Sequence, residues 1–320
     1  MQALTVIQES QNLPAFMAPE VEAARGYISS QIADSTKRAY VSDFRQFKDW
    51  CDTRGICSMP ASPEAVATYL SFEADKGAKY ATVSRRAAAI NFAHLSAELD
   101  SPTKSNLVGG ALKGIRRTVG IAPVKKAPAT AKKLLEMVRY CPSTLQGKRD
   151  KALLLLGFAG AFRRSELVAL EVSDIALEAA GMKVTIRKSK TDQEGKGQTI
   201  AISRGEVFCP VVAVQDYLLA AGITEGPVFR SINKGGKASP IALRAQSVAD
   251  VVKTYATKAG FAPADFAGHS LRAGFLTSAA EAGANIFKMV EVSRHRTFET
   301  VRGYVRNAEL FKDHAGAGLL

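Results

Sequence analysis

The segment Ala152-Leu-Leu-Leu-Leu-Gly-Phe-Ala-Gly-Ala-Phe-Arg163-Arg164-Ser165-Glu166 joins the longest apolar stretch of the chain to two arginines and a glutamate. An apolar stretch of eleven residues is too short to cross a bilayer, which takes ~20, so the pattern predicts a helix buried in a protein core. An arginine at the end of such a helix must be paired or face a ligand, because burying an unpaired cation is costly. Glu166 is expected to hold the guanidinium of Arg163 from the same helical face, whereas Arg164 is expected to point toward solvent. Taken alone, this arrangement is most simply an ion pair on a helix surface.

The composition is that of an ordinary globular protein. The chain has 320 residues, of which 47% are hydrophobic and 23% charged, which indicates about two domains and excludes a disordered or fibrous protein. The first sixteen residues, MQALTVIQESQNLPAF, lack the charged start and apolar core of a secretory signal, so we expect the protein in the cytoplasm. The four cysteines are not spaced like paired zinc ligands, so we expect no structural metal and no disulfide.

The chain is strongly basic. Its net charge is +13, and most of the excess lies after residue 120. Such an excess favours nucleic acid as a partner over an anionic membrane, because no amphipathic basic helix stands out. We therefore expect no membrane association. Many basic proteins bind nothing specific, so charge alone leaves the partner open.

The chain is predicted to form two domains. Residues 119–129 contain glycine, two prolines and adjacent lysines but follow neither a helical nor a strand period, which is typical of a linker. Residues 1–118 then form the first domain, of which 1–20 are expected to be flexible. Residues 130–320 form the second domain and end in an apolar tail.

Hydrophobic periodicity predicts the fold class. Apolar residues at helical spacing indicate helices over Ser35–Cys51 and Ala81–Leu99, so the first domain is predicted to be all-helical. In the second domain, apolar and polar residues alternate over 182–186 and again over 200–202, beyond a glycine-containing turn, which predicts a β-hairpin among helices. The fold is thus expected to be mainly α, with a small antiparallel β-sheet in an α-rich C-terminal domain.

Three further places hold candidates for chemistry. Lys190 lies at the end of the predicted hairpin, where most lysines are only solvated. His269 and Arg272 are three residues apart and can face one oxyanion, although chance also produces such a pair. His295 precedes Tyr304 by nine residues, and either one alone would be interpreted as structural.

Together these candidates form one ordered pattern, made of Arg163, Lys190, His269, Arg272, His295 and Tyr304. This pattern resembles the tyrosine recombinase (phage integrase) family. In that family an Arg, a hairpin Lys, His-x-x-Arg and a His or Trp follow one another in this order, and the nucleophilic Tyr comes nine residues after the His or Trp. The family's Arg-x-x-Glu pattern selects Arg163 over Arg164 and makes Glu166 its supporting residue. The resemblance to Cre-type recombinases covers most of the chain, with His295 where Cre-type enzymes have Trp.

The resemblance implies a site-specific DNA recombinase. Such an enzyme cuts and rejoins DNA through a 3′-phosphotyrosyl intermediate and a Holliday junction, without metal, ATP or another cofactor. The implied partners are double-stranded DNA with inverted half-sites and three further copies of the chain, which form a homo-tetramer on two DNA sites. The tail of residues 308–320 would dock on a neighbouring subunit; the alternative is that it caps its own domain. The implied location is the cytoplasm, on nucleoid, plasmid or phage DNA. By the same resemblance, the DNA-facing residues of the first domain would be Arg38, Arg45, Thr82, Arg85 and Arg86.

Each implied role has a chemical reason. Only ~0.1% of a tyrosine phenol is ionised at neutral pH, so Tyr304 needs a base, for which His269 is the candidate. Arg163 and Arg272 can clamp the phosphate oxygens with their fork geometry, and His295 can add a third donor. The leaving 5′-oxygen needs a proton, which assigns the general acid to Lys190.

Three other interpretations remain open from the sequence. A topoisomerase-like enzyme would use the same six residues to nick and reseal DNA without exchanging strands. A sequence-specific DNA-binding protein would contain the same six residues without using them for catalysis. An RNA-binding module is a further alternative. The target sequence and any need for an accessory protein are not encoded in these motifs.

Overall fold

The computed structural model describes residues 31–121, 126–189, 192 and 194–309, together with residues 17, 19–20, 22–23 and 26–27. The chain divides into two compact units, Met1–Val124 and Lys125–Leu320. This division falls inside the predicted linker. Lys190, most of residues 1–20 and the tail after residue 309 lie outside the described residues, so the expectations for them stay predictions.

The first unit is built from helices. They are α1 (Asp34–Asp52), α2 (Pro63–Asp75), α3 (Tyr80–Ser96) and α4 (Asn106–Val119), with a 3₁₀ turn at Pro102–Lys104. Both predicted helices are therefore present, the second ending earlier, at Ser96. Their core holds the side chains of Phe47, Tyr69, Leu70, Val83 and Ile90.

The second unit combines helices with two small antiparallel sheets. Its helices are α5 (Ala131–Arg139), α6 (Leu145–Ala159), α7 (Arg164–Val168), α8 (Pro210–Ala221), α9 (Ala245–Lys258), α10 (Ser270–Glu281), α11 (Ile286–Ser293) and α12 (Phe298–Ala308). The strands are β1 (Ile175–Glu178), β2 (Gly181–Ile186), β3 (Gln198–Ser203), β4 (Arg230–Ile232) and β5 (Ala238–Ala242). Short 3₁₀ turns lie at Val172–Asp174 and Pro263–Asp265. The predicted fold class, mainly α with a small antiparallel sheet, is confirmed.

The apolar segment forms the buried helix that the sequence predicts. The side chains of α6 from Ala152 to Leu156 are all buried in the core of the second unit. The helix ends at Ala159, however, and the turn Gly160–Ala161 separates it from α7. Arg163 caps α7 and has a non-helical backbone conformation, so the expectation that it pairs with Glu166 from the same helical face is wrong. The two residues still pair, because Glu166 lies at the third position of α7 and reaches back to its start.

The predicted hairpin is the centre of a three-stranded sheet. In the pair β2–β3, Met182 lies opposite Ile202 and Val184 opposite Ile200, and these four side chains are buried. The alternation that predicted the hairpin therefore marks its core-facing side. The strand β1, which pairs with β2, and the small sheet β4–β5 were not predicted.

Close packing at the end of α6 brings the later helices to the site. A Cβ at Gly157 would lie 2.9 Å from the side chain of Leu271 and 3.0 Å from that of Leu167, so α10 and α7 both pack closely against α6 at this point. These contacts place Arg272, one residue after Leu271, near the turn that follows α6. Among the described residues, no helix is long and apolar enough to cross a membrane.

Candidate active site

The turn Gly160–Ala161 gathers arginines from three parts of the second unit. Ala161 adopts a left-handed backbone conformation, with φ 45°. Its carbonyl oxygen accepts hydrogen bonds from Nη1 of Arg272 at 2.7 Å and from Nη2 of Arg294 at 3.1 Å. The carbonyl oxygen of Gly160 accepts a bond from Nη1 of Arg294 at 2.9 Å. The turn thus links the start of α7, the helix α10 and the end of α11.

The carboxylate of Glu166 is shared by two arginines. Nη1 of Arg163 donates to Oε1 at 2.6 Å, and Nη2 of Arg294 donates to Oε2 at 2.8 Å. The backbone N–H of Arg163 also donates to Oε2, at 2.9 Å. Burial alone would raise the pKa of Glu166, but the charge of Arg294 and the bonds from Arg163 hold it below its ordinary value. Glu166 is therefore an anion at neutral pH.

Arg272 is the third cation at the site. Its residue surface is only 5% exposed. Burial, together with repulsion from Arg163 and Arg294, lowers the pKa of Arg272 to about 9. The side chain is still protonated at neutral pH, so three guanidinium cations face one carboxylate, an excess of two positive charges.

His295 lies in the loop between α11 and α12, beside Arg272. Nη2 of Arg272 lies 3.3 Å from its Nδ1 and 3.2 Å from its Nε2, and the hydroxyl of Ser293 is hydrogen bonded to Nδ1 at 2.8 Å. Burial, followed by the charges of Arg272 and Arg163, lowers the pKa of His295 to about 4. The ring is therefore neutral at neutral pH and carries one N–H.

Tyr304 lies on α12 and is partly buried. It packs against a small apolar cluster that includes Leu276, Met289 and Val301. Burial raises the pKa of Tyr304, and the charge of Arg272 offsets only part of that rise. The phenol is therefore protonated at neutral pH.

His269 precedes α10 and is exposed to solvent. It lies three residues before the buried Arg272 on the same chain segment.

The loop between β2 and β3 lies against the same site. Its residues Ser189 and Asp192 line a cavity of about 710 Å³ together with His295. The carboxylate of Asp192 accepts hydrogen bonds from the backbone N–H groups of residues 197, 196 and 195. These bonds lower the pKa of Asp192 and connect it to the far side of the loop. Lys190 lies outside the described residues, but Ser189 before it and Asp192 after it line the cavity. Among the described residues, no group of His, Cys, Asp or Glu is arranged as metal ligands would be.

In the first unit, the five predicted DNA-facing residues differ in their surroundings. Arg38 and Arg45 are exposed, and Thr82 is partly buried. Arg85 forms a two-bond pair with the buried Asp43, at 2.6 and 3.0 Å. Arg86, whose side chain is 12% exposed, pairs with Glu73. The charges of Arg85 and Arg86 are therefore balanced within the unit, although the side chain of Arg85 is half exposed.

Sequence reasoning missed Ser293 and Arg294, which surround His295 in the structure. Both are buried, Ser293 to 0% and Arg294 to 6% exposure. The motif that identified His295 contains both residues, yet periodicity gives no signal for a buried arginine after a helix end. Only the fold shows that Arg294 returns to the turn after α6.

The chain is similar in sequence to known recombinases and integrases. The sequence model described as the phage integrase family matches residues 128–310. An integrase/recombinase xerD homolog of Selenomonas ruminantium is 38% identical over 91% of this chain and 87% of that protein. The recombinase cre of Escherichia phage P1 is 24% identical over 93% of this chain and 94% of that protein.

Solved structures show the same fold at low sequence identity. A lambda integrase dimer bound to a COC′ core site has a TM-score of 0.61 at 15% identity and covers 89% of this chain and 75% of that chain. The XerH site-specific recombinase bound to difH substrate, in a pre-cleavage complex, has a TM-score of 0.57 at 17% identity and covers 84% of this chain and 76% of that chain.

The low pKa of His295 predicts a specific pH dependence of stability. The folded chain binds this proton less tightly than the unfolded chain, so its contribution is complete above pH ~6.5 and is lost as the pH falls toward about 4. Between pH 7 and pH 5, the wild type should lose more unfolding free energy than His295→Gln, which has no titrating ring. Urea unfolding followed by circular dichroism at both pH values measures the difference. Equal losses in the two proteins would mean that His295 titrates normally.

Proposed function

The chain belongs to the phage integrase family and is a tyrosine-type site-specific recombinase, and from this premise we propose that it cuts and rejoins double-stranded DNA through a 3′-phosphotyrosyl intermediate on Tyr304. The observation that carries the proposal is the cluster of Arg163, Arg272 and Arg294 with a single buried carboxylate, beside His295 and Tyr304. The basic charge of the second unit supports DNA as the substrate, as does the DNA bound in the two similar solved structures.

The arginine cluster suits the charge of the transition state. A phosphodiester carries one negative charge, and attack by tyrosinate adds a second. The excess of two positive charges at the site balances this dianion, and water is largely displaced from buried arginines, so the attraction is strong. In the proposed mechanism Arg163 and Arg272 donate to the two non-bridging oxygens.

His295 and Ser293 complete the donor set in this proposal. A neutral imidazole can donate to a phosphate oxygen only from the nitrogen that carries the proton. If the hydroxyl of Ser293 donates to Nδ1, the proton stays on Nε2, which is then the donor. Ser293 would thus select the tautomer in which His295 acts.

The proton transfers involve His269 and Lys190. His269 takes the phenol proton of Tyr304 as its oxygen attacks phosphorus, and the bond from phosphorus to the 5′-oxygen breaks. Lys190 gives a proton to that oxygen, so the products are a 3′-phosphotyrosyl ester and a free 5′-hydroxyl. The position of Ser189 and Asp192 at the cavity beside His295 supports Lys190 for this role.

Strand exchange follows from the reversibility of this step. The phosphotyrosyl ester keeps the phosphoester bond in covalent form, so a 5′-hydroxyl from another duplex can attack it without ATP. The arginines supply the positive charge at phosphorus, so the scheme assigns no step to a metal. We propose that four copies of the chain act on two DNA sites with inverted half-sites, pass through a Holliday junction, and dock the tail of residues 308–320 between subunits.

An experiment with nicked duplexes of random sequence tests the proposal even though the target sequence is unidentified. Cleavage near a nick releases a short fragment, so the enzyme is trapped on DNA. In EDTA, wild-type protein should yield an adduct that survives denaturing electrophoresis and carries nucleotide on Tyr304 by mass spectrometry. The trapped duplexes identify the target. Plasmids with two copies of it should give recombinant circles, whereas relaxation alone would favour the topoisomerase-like alternative.

Tyr304→Phe is the matched control for that experiment. It lacks only the attacking oxygen, so it should bind the selected duplex with the affinity and steep salt dependence of the wild type but form no adduct. A gel-shift titration at several salt concentrations measures binding. A persistent adduct in this variant would place the nucleophile on another residue.

The role of Lys190 predicts rescue by a better leaving group. Lys190→Ala should cleave the selected duplex ~10²- to 10⁴-fold more slowly than wild type, because the 5′-oxygen must leave without a proton. A duplex with sulfur in place of that 5′-oxygen needs no acid, so the variant should regain much of the wild-type rate. Arg163→Ala should not be rescued to the same degree. Equal rescue of both variants, or of neither, would exclude Lys190 as the general acid.

A further inference from the structure

Arg294 is a buried arginine in an unusual backbone conformation. It ends α11 with φ 56° and ψ 41°, in the left-handed region, and its side chain is only 3% exposed. A left-handed backbone conformation is unfavourable for a residue other than glycine, and a buried guanidinium also loses its hydration. Such a residue persists only where the surrounding contacts hold it in place.

Those contacts join the end of α11 to the segment that carries Arg163. The guanidinium donates to Glu166 at 2.8 Å, to Gly160 at 2.9 Å and to Ala161 at 3.1 Å, and it lies 5.1 Å from the centre of the Phe162 ring. A further bond to the carbonyl oxygen of Val292 closes the end of its own helix. The next residue in the chain is His295. Arg294 therefore fixes the loop of His295 onto the turn after α6.

The same contacts determine how Arg163 is held. An arginine alone with a carboxylate commonly forms two parallel hydrogen bonds through two of its nitrogens. Here Oε2 of Glu166 is taken by Arg294 and by the backbone of Arg163, so the side chain of Arg163 binds Oε1 through Nη1. Its Nη2 lies 3.4 Å from the carbonyl oxygen of Arg294. Arg294 thus prevents Glu166 from engaging the whole fork of Arg163.

We propose that Arg294 is a positioning residue that shares Glu166 with Arg163 and thereby orients both Arg163 and His295 toward the scissile phosphate. This inference rests on the proposed function for its substrate, but its geometry does not depend on DNA. Ala161 adds a third connection, because its carbonyl oxygen is bound by both Arg272 and Arg294. One side chain that touches no substrate therefore sets the geometry of the three groups assigned to the phosphate.

Three variants separate positioning from a general effect on folding. Arg294→Met keeps the length and packing of the side chain but removes its charge and hydrogen bonds. Arg294→Lys keeps the charge but cannot hydrogen bond to the turn and to Glu166 at the same time. This variant replaces Arg294→Met in the measurements if the methionine variant does not fold. Arg302→Met is the matched control, since Arg302 is an exposed arginine on α12 paired with Glu299.

The first measurement needs no DNA. Nuclear magnetic resonance of ¹³C-labelled histidine follows the titration of His295 in each folded variant. The ring is surrounded by the charges of Arg272, Arg163, Arg294 and Glu166. Arg294→Met removes one of the cations and releases the loop, so the pKa of His295 should rise, whereas Arg302→Met should titrate like wild type. An unchanged titration in Arg294→Met and Arg294→Lys would overturn the proposal.

The second measurement uses the nicked duplex selected with wild-type protein. At saturating duplex, Arg294→Met should form adduct about 10- to 100-fold more slowly than wild type, the range typical of residues that orient a reactive group, while its Kd for duplex stays within about twofold. Arg294→Lys should be slowed less. A rate per folded molecule equal to that of Arg302→Met would overturn the proposal. If no duplex traps even the wild type, the proposed function fails, and the titration of His295 alone decides the role of Arg294.

Discussion

The buried carboxylate of Glu166, held between Arg163 and Arg294, is the interaction on which the site depends. Without it, three guanidinium groups could not share one interior region, because each would repel the others at low dielectric. With it, the cluster keeps an excess of two positive charges. Glu166 thus makes the cluster stable enough to fold and leaves it cationic enough to attract a phosphate.

The fold supports this cluster through the turn after α6. The second half of that helix, from Ala152 to Leu156, is buried in the core of the second unit, and it fixes where the turn begins. The left-handed conformation of Ala161 then directs its carbonyl oxygen to Arg272 and Arg294. Rigid packing and backbone oxygens therefore place side chains that arrive from distant parts of the sequence.

Local patterns predicted much of the fold and part of the site. The apolar segment, the alternation in the hairpin and the pairing of Arg163 with Glu166 each depend on near neighbours in sequence. The pair Arg85–Asp43 and the bonds of Arg294 to the turn after α6 join residues that are far apart in sequence, and the left-handed conformation of a non-glycine residue has no sequence signal. The sequence therefore proposed which residues are candidates for the reaction, whereas only the fold revealed what holds them.

The most direct test of the role of the arginine cluster replaces one non-bridging oxygen of the scissile phosphate with a methyl group. This methylphosphonate removes one negative charge, so less positive charge is needed to balance the transition state. If Arg272 acts by its charge on that oxygen, the slowing of adduct formation in Arg272→Ala relative to wild type should be much smaller on the methylphosphonate duplex than on the normal duplex. An equal slowing on both duplexes would contradict the claim that the charge of Arg272 balances the transition state, because Arg272 would then act only by maintaining the structure of the site.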